Sequence, residues 1–166
     1  MARPRGDSSV TLSVVDRLID DDPRTSTETP LTRAQSVRML KNAVRRDLEW
    51  LLNTRRIAEE PDESLQEVSR SLYAYGLPDF THYSLNNPKD QTKLLRFLQS
   101  TIKTFEPRLA SVRIIPIEDT TTGSRTLRFR IEGLLLMDPA PENISFDTVL
   151  QLTTGVYQVK GDSDAG

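Results

Sequence analysis

The stretch Phe105-Glu106-Pro107-Arg108-Leu109 constrains the fold most, because one periodicity ends there and another begins. Upstream, Leu94, Leu95, Leu98, Ile102 and Phe105 recur at helical spacing. Downstream, Val112 to Ile117 is short and rich in β-branched residues, the pattern of a strand. Pro107 makes the break: it has no N–H for a helix, and it biases Glu106 away from helical dihedrals. In an extended Glu-Pro-Arg the side chains of Glu106 and Arg108 lie on the same side of the backbone. A guanidinium can grip a carboxylate through two parallel hydrogen bonds, so the pair can close on itself or be offered to a partner. On spacing alone it reads first as a solvated surface ion pair at a helix end.

That break divides the chain. Helical patterns lie before it and strand patterns after it, which predicts an α+β fold with N-terminal helices packed on a C-terminal antiparallel meander. Residues 1–30 read as an arm: a polar tail, a short amphipathic helix within Val10 to Ile19, and a linker. In that helix Leu12, Val15, Leu18 and Ile19 form the apolar stripe and Ser13 is the candidate cap. A helix this short is marginal alone and needs a surface to pack on, in its own domain or in another chain. Residues 31–160 read as one domain, and 161–166 as a polar tail.

Within the domain a long helix is predicted from Thr32 to Asn53, capped by Thr32 and buried through Val37, Leu40, Val44, Leu48, Leu51 and Leu52. Arg45, Arg46, Asp47 and Glu49 then fall on a solvated outer face. Pro61 and Asp62 open a second helix with Leu65, Val68 and Leu72 inward, stopped by Gly76 and Pro78. Asn87 and Pro88 are the cap and first position of a third, which runs to Glu106.

The strands follow. Val112 to Ile117 carries Pro116, the mark of an edge. Thr120 to Ser124 connects to a second strand that alternates Leu127, Phe129 and Ile131 against Arg128, Arg130 and Glu132. Ile144, Phe146, Leu150 and Leu152 share one face of a third strand, and Val156 to Lys160 forms a fourth. A meander leaves its first and last strands at the edges. The last, Val156-Tyr157-Gln158-Val159, has no proline and only Lys160 beside it, so it reads as an open edge on which another strand docks.

The same residues exclude several functions. A formal charge of −2 and a pI near 5.5 give no global field for nucleic acid or an anionic membrane. No cysteine is present, so disulfides, thiolate metal sites and cysteine nucleophiles are excluded. The N-terminus lacks the apolar core of a secretory signal, and no apolar run is long enough to span a bilayer; a cytoplasmic protein is the expectation. His82 has no partner ligands around it. The acidic groups Asp20-Asp21-Asp22 and Glu118-Asp119 sit at predicted turns and read as solvated acids rather than a glycosidase pair. No phosphate loop, nucleophile elbow or H-E-x-x-H motif occurs, and neither a metal nor a cofactor is expected.

Five stretches together resemble the TssE family, baseplate subunits of the bacterial type VI secretion system related to a small wedge subunit of contractile phage-tail baseplates. They are Ser13 to Leu18, Arg46 to Arg55, Tyr75 to Phe80, Phe105 to Leu109 and Phe146 to Leu150. The resemblance implies a structural, non-enzymatic part of the wedge, beside TssF- and TssG-type subunits and beneath a sheath of TssB/TssC-type subunits. It implies a bacterial cytoplasmic location at the membrane-docked baseplate. It turns Glu106, Pro107 and Arg108 into residues that hold the subunit to the wedge's core bundle, and it marks Asp16, Arg17 and Leu18 as partner-facing. The family's sheet is similar to the interlocking sheet of the sheath, so Val156, Tyr157, Gln158 and Val159 become the edge that templates sheath assembly. A small regulatory adaptor on the same fold is the competing reading, since a binding module also needs no catalytic group. A cell-wall hydrolase is the third, and it would need export and a working carboxylate pair.

Overall fold

The computed structural model describes residues 13–18, 32–59, 61, 62, 64–80, 87–117, 126–151 and 154–161. His82, the acidic groups at 20–22 and 118–119, the 120–124 connection, the linker, Leu12, Ile19 and Leu152 lie outside them. The elements run α1 (Val14–Leu18), α2 (Arg33–Asn53), α3 (Gln66–Ser69), a 3-10 turn (Leu72–Ala74) and α4 (Pro88–Phe105). They are followed by β1 (Leu109–Ile117), β2 (Thr126–Leu135), β3 (Glu142–Gln151) and β4 (Val156–Gly161). The strands form one antiparallel sheet in the order β1-β2-β3-β4. Helices first and a meander second is the α+β plan expected.

The caps explain where the two long helices start. Thr32 accepts from the N–H of Gln35, and the Gln35 side chain returns the bond to the N–H of Thr32, a reciprocal capping box. Asn87 accepts from the N–H of Lys89, and Pro88 follows at the first helical position, where its missing N–H costs nothing. Leu40, Val44, Leu48, Leu51 and Leu52 of α2 and Leu94, Leu98 and Ile102 of α4 pack on the inner face of the sheet. That face is Phe129 and Ile131 of β2, Ile144, Phe146 and Leu150 of β3, and Tyr157 and Val159 of β4. Ser36 and Ala43 join the buried stripe of α2, whereas Val37 is only half-buried.

Three expectations change. The second helix shrinks to α3 and the 3-10 turn, and Leu65 and Leu72 point outward, Leu72 at 84% exposure. The local cause is a competing anchor. Arg55 and Leu77 form a parallel bridge, with Leu77 N donating to Thr54 O and Arg56 N to Leu77 O. Gly76 enters this bridge at φ +100, where a Cβ would stand 2.4 Å from the Thr54 carbonyl oxygen. Second, β1 starts at Leu109, because Ala110 pairs with Leu134 before a register shift ahead of Arg113; Ser111 takes φ 52 in that irregularity.

Third, the last edge is not open. Main-chain groups of Tyr157 and Val159 face outward from β4, and α2 takes three of these four. Asn53 accepts from the N–H of Tyr157 and donates to its carbonyl, both at 2.9 Å. Arg45 donates to the carbonyl of Val159 at 3.3 Å. Strict alternation then turns the N–H of Gln158 inward, toward Val149 of β3. Pro116 does lie on an edge strand, as predicted, and the carbonyl of Val112 beside it is held by Gln99 at 2.7 Å.

Candidate functional site: a charge cluster at the helix-to-strand junction

Where α4 stops, the backbone of Glu106 closes the helix by donating to the carbonyl of Ile102 at 2.8 Å. Pro107 turns the chain, and Arg108 faces back toward Glu106. Its guanidinium donates through Nε to Oε1 at 2.6 Å and through Nη2 to Oε2 at 2.5 Å, the two-bond grip that the spacing permits. The main-chain N–H of Arg108 adds a longer bond to Oε1 at 3.3 Å. The Glu106 side chain is only 5% exposed and that of Arg108 is 26% exposed. The pair is therefore not the solvated surface pair that spacing alone suggested.

The cluster extends across α2. Nη2 of Arg108 also donates to Oδ2 of Asp47 at 2.6 Å. The other oxygen of Asp47 accepts from Nε and Nη2 of Arg46, at 3.1 and 2.9 Å. Arg46 Nη2 reaches on to Oδ1 of Asp16 in α1 at 2.7 Å, and Asp16 Oδ2 accepts from the Ser13 hydroxyl at 2.6 Å. Carboxylates and guanidinia thus alternate from β1 through α2 to the N-terminal arm. The Arg46 guanidinium also lies 4.9 Å from the centre of the Trp50 ring.

The electrostatics follow this order. The hydrogen bond to Glu106 holds the Arg108 pKa above its ordinary value; burial opposes it and Asp47 adds to it. Arg46 is raised by its bonds to Asp16 and Asp47. Burial would raise Asp16, but the Ser13 hydroxyl and the Arg46 guanidinium together hold its carboxyl below the usual value. Tyr75 borders the cluster and stacks edge-on against Phe105 at 5.3 Å. Burial, then the charges of Asp47 and Glu106, push its phenol up.

Glu106, Arg108 and Asp16 are thus brought into one cluster, with Pro107 exposed at its surface. Leu18 is 78% exposed beside it, with Val14 and Val15 also open; the side chain of Arg17 lies outside the described part. So the apolar residues of α1 do not pack on the domain, and Asp16 ties the helix to Arg46. Val156 and Gln158 are exposed on β4, Tyr157 and Val159 are buried there, and none of the four joins the cluster. Sequence reasoning left out Asp47, Arg46 and Tyr75. Helical spacing put Arg46 and Asp47 on an outer face and could not show that Arg108 comes back across that face.

Among the described residues no group of acidic or histidine side chains has the arrangement of a metal site, and no helix is long and apolar enough to cross a membrane. Each carboxylate of the cluster is engaged by a guanidinium, an arrangement that fixes relative positions. An α+β fold with such a lattice at the junction of its layers defines a module built to keep a shape. A family profile described as baseplate wedge protein gp25 matches residues 38–140, more than half of the chain, and the chain belongs to that family. It is a family of structural baseplate proteins. The match includes α2 from Arg38 on, α4, β1 and β2 and with them Arg46, Asp47, Glu106 and Arg108. No curated protein and no solved structure matches the chain.

Proposed function

We propose that this chain is a TssE-type wedge subunit of a bacterial type VI secretion baseplate. It binds TssF- and TssG-type subunits and sits beneath a TssB/TssC-type sheath, in the cytoplasm at the membrane-docked baseplate. It works by holding position and not by catalysis. The single observation that carries this reading is the placement of the Glu106–Arg108 pair, in a chain of the baseplate wedge family, at an exposed corner. Glu106 is the buried half and sets the guanidinium; Pro107 and the open side of Arg108 form the surface that meets the wedge core. Asp16 holds α1 against the same corner, which supports Leu18, and with it the Asp16-Arg17-Leu18 stretch, as part of that contact. Any sheath contact at Val156 to Val159 then uses the exposed Val156 and Gln158 side chains, since both outward main-chain groups of Tyr157 and the carbonyl of Val159 are already bonded.

Co-purification with TssF- and TssG-type subunits tests the reading. Leu18→Glu and Pro107→Asp leave the core untouched and should each weaken capture at least tenfold, with the thermal melt unchanged. Capture at wild-type level by both variants would refute the proposed contact.

A further inference from the structure

Alternation along the strands gives the sheet a second face, turned away from α2 and α4. Its charges are Arg113, Arg128, Arg130 and Lys160 against Glu132 and Asp147, a net of +2 on a chain whose formal charge is −2. Apolar residues lie among them. Ile115, 43% exposed, and Ile117 are neighbours on β1, and Val149 of β3 shares a row with Ile117 across Arg128.

The two ladder pairs of opposite charge on this face behave differently. Arg130 closes on Asp147, Nε to Oδ1 at 2.7 Å. Arg113 stands opposite Glu132 in the same way, yet no ion pair joins them among the described residues. Beside that open pair the face is hollow. β1 shifts register between Ala110 and Arg113, and Ser111 and Ser145 are small. Together with Arg113, Glu132 and Leu134 these two serines line a depression of about 570 Å³.

We propose that this outer face takes an acidic amphipathic helix of another protein, laid along β1 and β2 with its apolar stripe on Ile115, Ile117 and Val149 and one side chain sunk in the hollow. Main-chain groups lie in the plane of the sheet and not on its face, so an added strand would gain no hydrogen bonds there. A helix needs only a surface of side chains, and a helix on a sheet is a stable pair of layers. From Ser111 to Ile117 the strand runs about 20 Å, the length of about 13 helical residues. Charge complementarity selects the acids: carboxylates flanking the stripe meet Arg113 and Lys160, and a single base meets Glu132. The isoleucines and the two carboxylates among the cations make the face a poor match for a phosphate backbone. The proposal uses none of the residues assigned to the wedge or sheath contacts and does not depend on that reading.

The probe is a fluorescein-labelled, hydrocarbon-stapled helix of eighteen residues, with leucines along one stripe and glutamates beside it; the staple is needed because so short a helix is marginal alone. It is titrated into the full chain by anisotropy and followed by methyl NMR. Saturable binding is expected, with shifts at the methyls of Ile115, Ile117 and Val149. Binding should be at least tenfold weaker in the Arg113→Glu/Lys160→Glu variant, whose exposed substitutions leave the melt unchanged. The shifts in the unsubstituted chain fix the location whether or not that variant folds. The absence of saturable binding would overturn the proposal, as would equal binding to the folded variant. Equal binding of the same helix with lysines in place of glutamates would show that charge does not select the partner and would also overturn it. Shifts centred on Val14, Val15 and Leu18 would place the helix on the exposed residues of α1 instead. Stronger binding of octathymidylate would mark a nucleic-acid surface, and either result refutes the assignment.

Discussion

Replacing Arg108 by methionine keeps the bulk of the side chain and removes its charge. Glu106 is then left 5% exposed with no guanidinium, and Asp47 keeps only Arg46. Breaking a buried pair from one side costs about 3–5 kcal/mol, because the remaining charge stays desolvated. Arg108 is about a quarter exposed, so solvent screening brings the expected loss to about 2–4 kcal/mol. For a chain of this size that is a fall in Tm of roughly 5–15 °C. Glu106→Gln keeps an acceptor for Nε but sets an NH2 against Nη2, so it loses one bond of the grip as well as the charge, about 1–3 kcal/mol. The double variant should cost less than the two single losses added, with a coupling of about 1–3 kcal/mol. Asp47→Asn, at a more open pair, should cost about 1 kcal/mol or less. Urea unfolding followed by circular dichroism, with equal slopes for all variants, gives these differences directly. An Arg108→Met protein within about 0.5 kcal/mol of the parent, uncoupled to Glu106, would refute the buried-pair reasoning. It would return the pair to the class of surface contacts.

Three other changes separate further parts of the argument. Gly76→Ala forces a Cβ against the Thr54 carbonyl at positive φ and should cost about 2–5 kcal/mol, read from the melt; a neutral result would show that the Arg55–Leu77 bridge does not need this conformation. The Thr148 hydroxyl is buried with no hydrogen-bond partner among the described residues, so Thr148→Val should stabilise by about 1 kcal/mol in urea titration, and a loss would show that the hydroxyl is satisfied. The folded pKa of Asp16 is depressed, so its contribution to holding α1 is complete above its ordinary pKa of 3.8 and is lost as pH falls through the lower folded value. Amide exchange of residues 14–18 should therefore accelerate in that acid window, and Asp16→Asn should show the fast rate at neutral pH; equal rates in the two proteins would disprove the tether.

Much of the fold was legible because its signals are local. Thr32 and Asn87 cap helices through bonds to residues two and three positions away, Pro88 fits the first helical position, and the alternation of Leu127, Phe129 and Ile131 needs only the pleat of one strand. What failed was long-range. Leu65, Val68 and Leu72 have helical spacing, but Gly76 and the Arg55–Leu77 bridge draw the chain away before such a helix could pack. The edge of β4 looked open because Asn53, 104 positions before Tyr157, carries no sequence mark of what it covers. In the candidate site Glu106 and Arg108 were legible as neighbours across a proline. The third member was not, because Asp47 lies 61 positions from Arg108.

The sealed edge bears on how such a subunit can work. A sheet edge with free N–H and C=O groups recruits any strand, including that of a second copy of the same chain. Here α2 occupies both outward groups of Tyr157 and the carbonyl of Val159, while Pro116 removes a donor from β1 and Gln99 covers the carbonyl of Val112. These four devices protect each end of the sheet by a different route, and three of them are side chains reaching from helices. Holding those helices against the sheet therefore does more than bury a core: it keeps the edges from pairing. The lattice from Glu106 through Asp47 to Asp16 spans the same helix, α2, that carries Asn53 and Arg45. Loosening the lattice would thus loosen the helix that guards β4. The ion pairs that fix the corner and the side chains that close the edge belong to one mechanical unit, which suits a part that must meet defined neighbours without joining copies of itself.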